Sequence, residues 1–379
     1  MSLRIAVPGE TTPGETRVGL TPDAVKRLAS ESISISVQAG AGETAGFGDE
    51  DYEAAGASIV ADAASLIADA DVVLKVAPPA KLADGTHEAD LIPEGALLAC
   101  FLQPHDSADL FARLAARRVT ALSLELVPRI TRAQSMDALS SQSNLAGYKA
   151  VVIAADSLGA IFPLLMTAAG TLSPARVLVL GAGVAGLQAI ATARRLGGDV
   201  WGYDIRTAVK EQVESLGARF VDLEEGAPAD AETEGGYAKE LDDAEQARKR
   251  ELLADHVSKA DVVITTALVP GKAAPVLITD DVVARMKRGS VIVDLAGEAG
   301  GNCSLSKAGE VVESPGGVKI HAPVNVPATL PTHASQLLAR NLTALLRPMI
   351  GDDGVAVDLD DDVVGACCVT HDGTVRFGA

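Results

Sequence analysis

Two groups of residues in this 379-residue chain have types and spacings that could do chemistry. The first lies in "VLVLGAGVAG", where Gly181, Gly183 and Gly186 form G-x-G-x-x-G between an apolar run and a helical pattern. In such a turn the first glycine permits the tight bend and the second lets backbone approach a pyrophosphate. The third allows close packing of helix on strand, and the pyrophosphate sits at the helix N-terminus. Asp204 ends the next strand-like run, "DVWGYD", about 20 residues past the second glycine. A carboxylate there accepts hydrogen bonds from ribose hydroxyls and repels a 2′-phosphate, which favours NAD(H) over NADP(H). Arg206 cuts the other way, because a nearby arginine can accommodate that phosphate. A glycine turn that only packs a sheet has no need of strand, glycines and acid in register. This half of the chain reads as an NAD-binding Rossmann domain.

The second group lies in and just before "TRAQSMDALSSQSNLAGYKA", residues 131–150. Between Arg129 and Ser140 stand two arginines, a glutamine, an aspartate and two serines, directly ahead of a helical pattern. One reading is local: Ser135 or Asp137 caps the helix, at about 1 kcal/mol, while Arg129 pairs with a carboxylate. That reading leaves Gln134 and Ser140 unexplained. The other reading is ligand contact, since a nicotinamide carboxamide needs both donors and acceptors. On residue types alone the two stand level. An ordinary dehydrogenase also needs a general base, and Arg17, Lys75, His105, Asp137, Glu298 and His321 are the polar candidates. Lys75, in "VLKVAPP", ends a strand-like run where α/β sheets place ligands, or else is a charge leaving a sheet edge. His105 reads as a surface residue.

These groups need a scaffold, and the patterning supplies one. "RIAVP", "ISISVQ", "ASIV", "DVVLKVA", "ALLACFL" and "VTALSLEL" read as strands, alternating with helical patterns at "TPDAVKRLAS", "DEDYEAAG", "ADAASLIADA" and "SADLFARLAARR". Thr21 and Asp49 read as N-caps, with Pro22 at the first helical position. A helix from about residue 140 to 169 leads into the glycine turn. Strands follow at "ARFVDL", "ADVVITTA" and "SVIVDLA", and another long helix follows residue 327. The expected architecture is α/β: two doubly wound parallel-sheet domains, the second a Rossmann domain, joined by long helices. Residues 1–138 with 328–379 are expected to form the first domain, discontinuous in sequence, and 139–327 the second. The polar stretch at about 225–245 reads as a mobile loop.

Composition narrows the chemistry. The chain is 48% hydrophobic but only 3% aromatic, which suits Ala/Val/Leu/Ile packing of helices on parallel sheets. A formal charge of −19 repels phosphate backbones and anionic lipid, so neither nucleic acid nor direct membrane insertion is expected. The longest apolar region, "KAVVIAADSLGAIFPLLMTAAGTL", is broken by Asp156, Ser157, Gly159 and Pro163. Cys100, Cys303, Cys367 and Cys368 form no CxxC pair, so the cysteines read as buried or incidental and no metal site is expected.

The quoted residues resemble a known family. "RAQSMDALSSQSNLAGYKA", "VLGAGVAGLQAIATARRLG", "GYAKEL", "LPTHASQL" and "RVGLTPDAVKRL" are similar to the soluble NAD(H)-binding component of proton-translocating NAD(P)+ transhydrogenase, over nearly the whole chain. The resemblance implies that Arg129, Gln134, Asp137 and Ser140 surround the dihydronicotinamide. It implies that Gly181, Gly183, Val184, Ala185 and Gly186 hold the pyrophosphate and Asp204 the adenosine ribose. Ile205, Arg206, Ala267 and Leu268 complete the nucleotide site, and Tyr237 tips a mobile loop that closes on it. It further implies a homodimer, an NADP(H)-binding partner component, a membrane-embedded proton-channel subunit and a cytoplasmic place at the inner membrane. Hydride passing directly between two nicotinamide rings needs no general base, only rings held together and water kept out.

Alanine dehydrogenase is the related alternative. Its substrate-binding Arg and Lys have apparent counterparts in Arg17 and Lys75. Its catalytic His falls near Gln103, which cannot titrate at pH 7, and its catalytic Asp near Glu298, a methylene longer. Alanine oxidation is therefore disfavoured. A third reading, a non-catalytic NAD sensor, leaves the dense polar group ahead of Ser140 without a purpose.

Overall fold

The computed structural model describes residues 3–30, 32–223, 243–269, 271–351 and 354–378. The chain divides into two compact units, Met1–Gln142 with Pro327–Ala379, and Ser143–Val326. The chain leaves the first unit within one continuous helix, Ala138–Ser157.

In the first unit, strands β1 (Leu3–Val7), β2 (Ile33–Gln38), β3 (Ser58–Val60), β4 (Val72–Leu74), β5 (Leu97–Cys100) and β6 (Thr120–Ser123) alternate with helices. All pair in parallel, in the order β3-β2-β1-β4-β5-β6. Side chains alternate between two cores with the period of a strand. Ile5, Val7, Val72, Leu74, Leu97 and Ala99 enter one, while Ala6, Val73, Leu98 and Cys100 enter the other. Burial on both faces is why these strands read as unbroken apolar runs.

In the second unit a hairpin, β7 (Leu165–Thr167) and β8 (Gly170–Leu172), precedes seven further strands. These are β9 (Arg176–Leu180), β10 (Asp199–Tyr203), β11 (Arg219–Phe220), β12 (Val262–Thr265), β13 (Val291–Asp294), β14 (Val311–Glu313) and β15 (Lys319–His321). Their order is β11-β10-β9-β12-β13-β15-β14, parallel except for β14. Val177, Val179, Val262 and Ile264 face one core, Leu178, Leu180 and Val263 the other.

Helix Pro331–Leu346 returns the chain to the first unit, burying Leu338, Leu342, Leu345 and Leu346. After a short hairpin, β16 (Ile350–Gly351) with β17 (Gly354–Val355), strands β18 (Cys368–His371) and β19 (Thr374–Val375) extend the first sheet. β18 lies antiparallel to β6.

Each unit is therefore a mainly parallel α/β sheet, in agreement with the expected fold class. Several finer expectations change. The helix expected to reach residue 169 stops at Ser157, because Gly159 and Pro163 break it, and residues 165–172 form the β7–β8 hairpin instead. Gly48, not Asp49, precedes the second helix as N-cap, and Asp49 instead accepts the Gly40 N–H at 2.9 Å. Strands β14, β15, β18 and β19 are short and lacked a pattern strong enough to read. Tyr237 and the loop expected near 225–245 fall, up to residue 242, outside the described residues.

Candidate functional site

Strand order reverses between β9 and β12, and in open α/β sheets ligands bind at the C-terminal ends of strands at such a point. The glycine turn follows β9. Gly181 has φ +97°, and a Cβ there would lie 2.5 Å from Thr266 Oγ1. A Cβ on Gly186 would lie 1.8 Å from the Gly181 carbonyl oxygen. Both glycines are required by the packing itself. Gly183 is different, since a Cβ there would meet only Arg206 Nη2, at 4.0 Å. The space over Gly183 is open, as backbone approach by a diphosphate demands.

Gly183 is also the N-cap of helix Val184–Arg195 and contributes no side-chain cap. A helix start without a side-chain cap leaves N–H groups and the positive end of the dipole for an anion. Val184 and Ala185 form its first turn, partly buried. A Cβ on Gly147 would lie 2.1 Å from the Ala185 carbonyl oxygen, so Gly147 lets helix Ala138–Ser157 pack hard against that turn.

Asp204 directly follows β10, with a side chain only 6% exposed. Its carboxylate accepts the Ala182 N–H at 2.7 Å and the Arg206 N–H at 2.9 Å, joining the ends of β9 and β10. Arg206 adds a two-pronged pair, Nε to Oδ1 and Nη2 to Oδ2, both 2.9 Å. Ile205, between them, is partly buried against the core. On the far side of the turn, Thr266 donates its hydroxyl to the Gly181 carbonyl at 3.1 Å. Ala267 is gripped at both backbone atoms by the Asn302 amide, at 3.0 and 2.9 Å, while Leu268 is 47% exposed.

The group ahead of helix Ala138–Ser157 lies in the first unit. Asp137 is its N-cap in effect: Oδ1 accepts the Ser140 N–H at 2.8 Å and Oδ2 the Ser140 hydroxyl at 2.5 Å. The local reading therefore accounts for Ser140 as well as Asp137. Ser135 does not cap, and its carbonyl accepts the Asn341 amide at 2.9 Å. Gln134 and Arg129 are exposed, Gln134 on the 3-10 turn Thr131–Met136 and Arg129 just before it. Arg132 pairs instead with Asp361 at 3.0 Å, which holds that carboxyl down at about 2.

The family's N-terminal domain, described as alanine dehydrogenase/PNT, matches residues 6–146, and its C-terminal domain matches residues 150–378. The chain belongs to the alanine dehydrogenase/PNT family. In Rhodospirillum rubrum the alpha subunit of NAD(P) transhydrogenase is split, and its first portion is 49% identical over 375 residues, covering 98% of this chain and 97% of that protein. A crystal structure of transhydrogenase from Sinorhizobium meliloti matches with TM-score 0.84 at 41% identity, covering 98% of each chain. The alanine dehydrogenase of Halomonas elongata is 32% identical over 392 residues, covering all of this chain and 95% of that one.

An alanine dehydrogenase/PNT protein carries polar candidates outside the glycine turn, and here they are engaged. Lys75 follows β4, a central strand, so it does not leave a sheet edge. It is 1% exposed, with Nζ 2.9 Å from Glu88 Oε1 and 3.5 Å from Glu10 Oε2. Burial alone would lower Lys75, but Glu10 and Glu88 outweigh it and hold the ammonium above its ordinary value. Arg17 makes a two-pronged pair with Glu15, at 2.8 and 2.7 Å, and donates to Gln142 at 3.0 Å. Gln103 sits at φ +47° with its N–H on Glu125 at 2.8 Å, and Glu298 is exposed. His105 is exposed, its ring edge-on to Phe377. His321 lies beside the Ser157 hydroxyl at 2.8 Å, and burial lowers its pKa. All four cysteines are buried. Burial raises Cys367 to about 12 and Cys303 and Cys368 to about 11, so none is a ready nucleophile. Among the described residues no group of three His, Cys, Asp or Glu could hold a metal, and no helix is long and apolar enough to cross a membrane.

Sequence reasoning overlooked Thr266, Asn302, Asp294 and Gly147. Asp294 ends β13 much as Asp204 follows β10, and that was the available signal. Its carboxylate accepts Thr265 Oγ1, the N–H groups of Ala296, Asn302 and Cys303, and Ser306 Oγ, all within 3.0 Å. This holds Asn302 in place, and Asn302 in turn holds Ala267 beside the glycine turn.

Proposed function

We propose that this protein is the NAD(H)-binding component of a proton-translocating transhydrogenase, passing hydride between NADH held here and NADP+ held on a partner component. The observation that carries the reading is the glycine turn, with two glycines forced by packing, open space over Gly183, and Asp204 closing the adjacent strand end. The 49% identity to a transhydrogenase alpha subunit over nearly the full length of both chains supports it. Gly181, Gly183, Val184, Ala185 and Gly186 cradle the diphosphate, Asp204, Ile205 and Arg206 the adenosine ribose, and Ala267 and Leu268 line the far side of the turn.

Bound nicotinamide supplies the hydride, and the chain's own task is to hold and orient the ring. Gln134, exposed on its 3-10 turn, offers an amide to the carboxamide, and Arg129 fixes the segment through Asp137. Asp137 and Ser140 set the start of helix Ala138–Ser157 on which that segment ends. No proton leaves the substrate at the site, so no base is required, which agrees with Lys75 being locked in a buried triad and with Gln103 being unable to titrate.

The proposed assembly is a homodimer, docked on an NADP(H)-binding component and a membrane-embedded proton channel at the cytoplasmic face of the inner membrane. Exposed apolar side chains on and beside the β7–β8 hairpin support self-association, with Met166 74%, Leu172 55% and Leu164 54% exposed. A net charge of −19 supports attachment through partners rather than direct lipid contact.

The test is a fluorescence titration with NADH, followed by NADH oxidation in the presence of pyruvate and ammonium. The proposal expects binding without turnover. Robust turnover means alanine dehydrogenase and removes the roles assigned to Gln134 and Asp137.

A further inference from the structure

Asp204 has no acceptor to spare. A carboxylate offers about four lone-pair directions. Those of Asp204 already meet the Ala182 N–H, the Arg206 N–H, Arg206 Nε and Arg206 Nη2, at 2.7, 2.9, 2.9 and 2.9 Å. A ribose cannot be held by this carboxylate while all four donors remain. The two backbone donors are fixed by the ends of β9 and β10. The two guanidinium donors belong to a side chain that can rotate away.

We propose that Arg206 is a resident counter-ion that occupies the diol-binding face of Asp204 and is displaced by the ribose, making it a specificity-determining residue of the nucleotide site. This rests on the NAD(H)-binding reading and deepens it. Releasing the guanidinium frees two acceptor positions, the number that a vicinal 2′,3′-diol fills. The guanidinium has somewhere to go, since Arg206 Nη2 is 4.0 Å from where a Cβ on Gly183 would sit, beside the open space above the turn. Displaced by the diol, it pairs with the diphosphate that approaches there. A nucleotide whose 2′-hydroxyl is esterified with phosphate forms no such diol. It draws the guanidinium to itself and leaves the Asp204 carboxylate, 6% exposed, facing a second anion with only its two backbone donors. The exchange thus admits NAD(H) and penalises NADP(H), and it turns Arg206, an apparent argument for NADP(H), into part of the discrimination against it.

The experiment separates displacement from simple support of Asp204 by using ligands that contain or lack each portion. Isothermal titration of the full chain compares adenosine, 2′,3′-dideoxyadenosine and ADP-ribose, for the parent protein and Arg206→Ala. Adenosine has the diol but no phosphate to repay the guanidinium, so Arg206→Ala should tighten it about five-fold. Dideoxyadenosine should stay within about two-fold, and ADP-ribose should show a smaller gain than adenosine or a loss. Adenosine weakened or unchanged by Arg206→Ala would overturn the proposal, because a merely supporting role predicts equal weakening of all three ligands. If circular dichroism shows that Arg206→Ala does not fold, Arg206→Gln carries the same test, being too short to reach both carboxylate oxygens. Failure of the parent protein to bind NADH at all would instead remove the NAD(H) reading on which this rests.

Discussion

The two sheets reverse their strand order at matching places, between β1 and β4 in one unit and between β9 and β12 in the other. Both therefore present the end of a sheet where ligands gather. The first unit fills that place with charge turned inward. Glu10 follows β1, Lys75 follows β4, and Glu88 closes on them from 13 residues further on, all with side chains no more than 3% exposed. The second unit fills it with absence: three glycines, open space over one of them, and a carboxylate tied to an arginine two residues away. The difference teaches how one architecture becomes rigid or receptive. A triad drawn from separate stretches of chain cannot let go without unfolding something. A pair made by neighbours on one strand end can exchange partners by rotating a side chain.

The sharpest way to break this comparison is to remove the lysine. Lys75→Met leaves Glu10 and Glu88 buried without their cation and should lose about 3–5 kcal/mol of stability in urea unfolding. A loss near zero would mean that the triad is not the lock described. In the second unit the glycines divide the effect differently. Gly186→Ala drives a methyl to 1.8 Å from the Gly181 carbonyl and should destabilise by roughly 1–3 kcal/mol while abolishing NADH binding. Gly183→Ala meets open space, so stability should change by less than about 0.5 kcal/mol while NADH affinity falls about ten-fold. Equal effects on stability from the two alanines would contradict the division between packing glycines and an approach glycine.

Much of this contrast was legible in the sequence, and the reason is local. The glycine turn and Asp204 belong to one βαβ unit whose spacing is set by helix length, so a linear pattern reports it. The strands β1–β6 and β9–β13 were legible because burial on both faces makes them short apolar runs. The Lys75 triad was not, since Glu10, Lys75 and Glu88 meet only through the sheet, and Lys75 alone reads as well as a charge at an edge. Asn302 and Asp294 were hidden for the same reason, acting on the turn through Ala267 across strands. The hairpin at 165–172 was missed because its apolar residues match a helix core as well as an exposed surface. For the group ahead of residue 140, residue types could not separate capping from ligand contact, and Asp137 with Ser140 shows that capping is satisfied in full.

That cap gives a smaller test. Asp137→Ala should cost about 1 kcal/mol of stability. If Gln134 serves the nicotinamide and Asp137 positions its segment, Gln134→Asn should leave stability unchanged yet slow hydride transfer. Loss of stability from Gln134→Asn would place it in the cap instead.

The smallest effect concerns pH. Burial holds His321 below its ordinary value beside Ser157. A histidine with a lowered folded pKa binds fewer protons folded than unfolded, so its contribution is present above about pH 6.5 and is lost as the pH falls below it. The melting temperature should therefore fall less steeply between pH 7.5 and 5.5 in His321→Gln than in the parent protein. An identical slope would remove His321 from the account.

The measurement that bears most directly on the central claim is isotopic. The chain would be mixed with a recombinant NADP(H)-binding transhydrogenase component, NADH carrying deuterium at the transferable C4 position, and NADP+. The account predicts deuterium in the NADPH formed and none released to water. Label appearing in water, or no transfer despite saturating NADH binding, would contradict it.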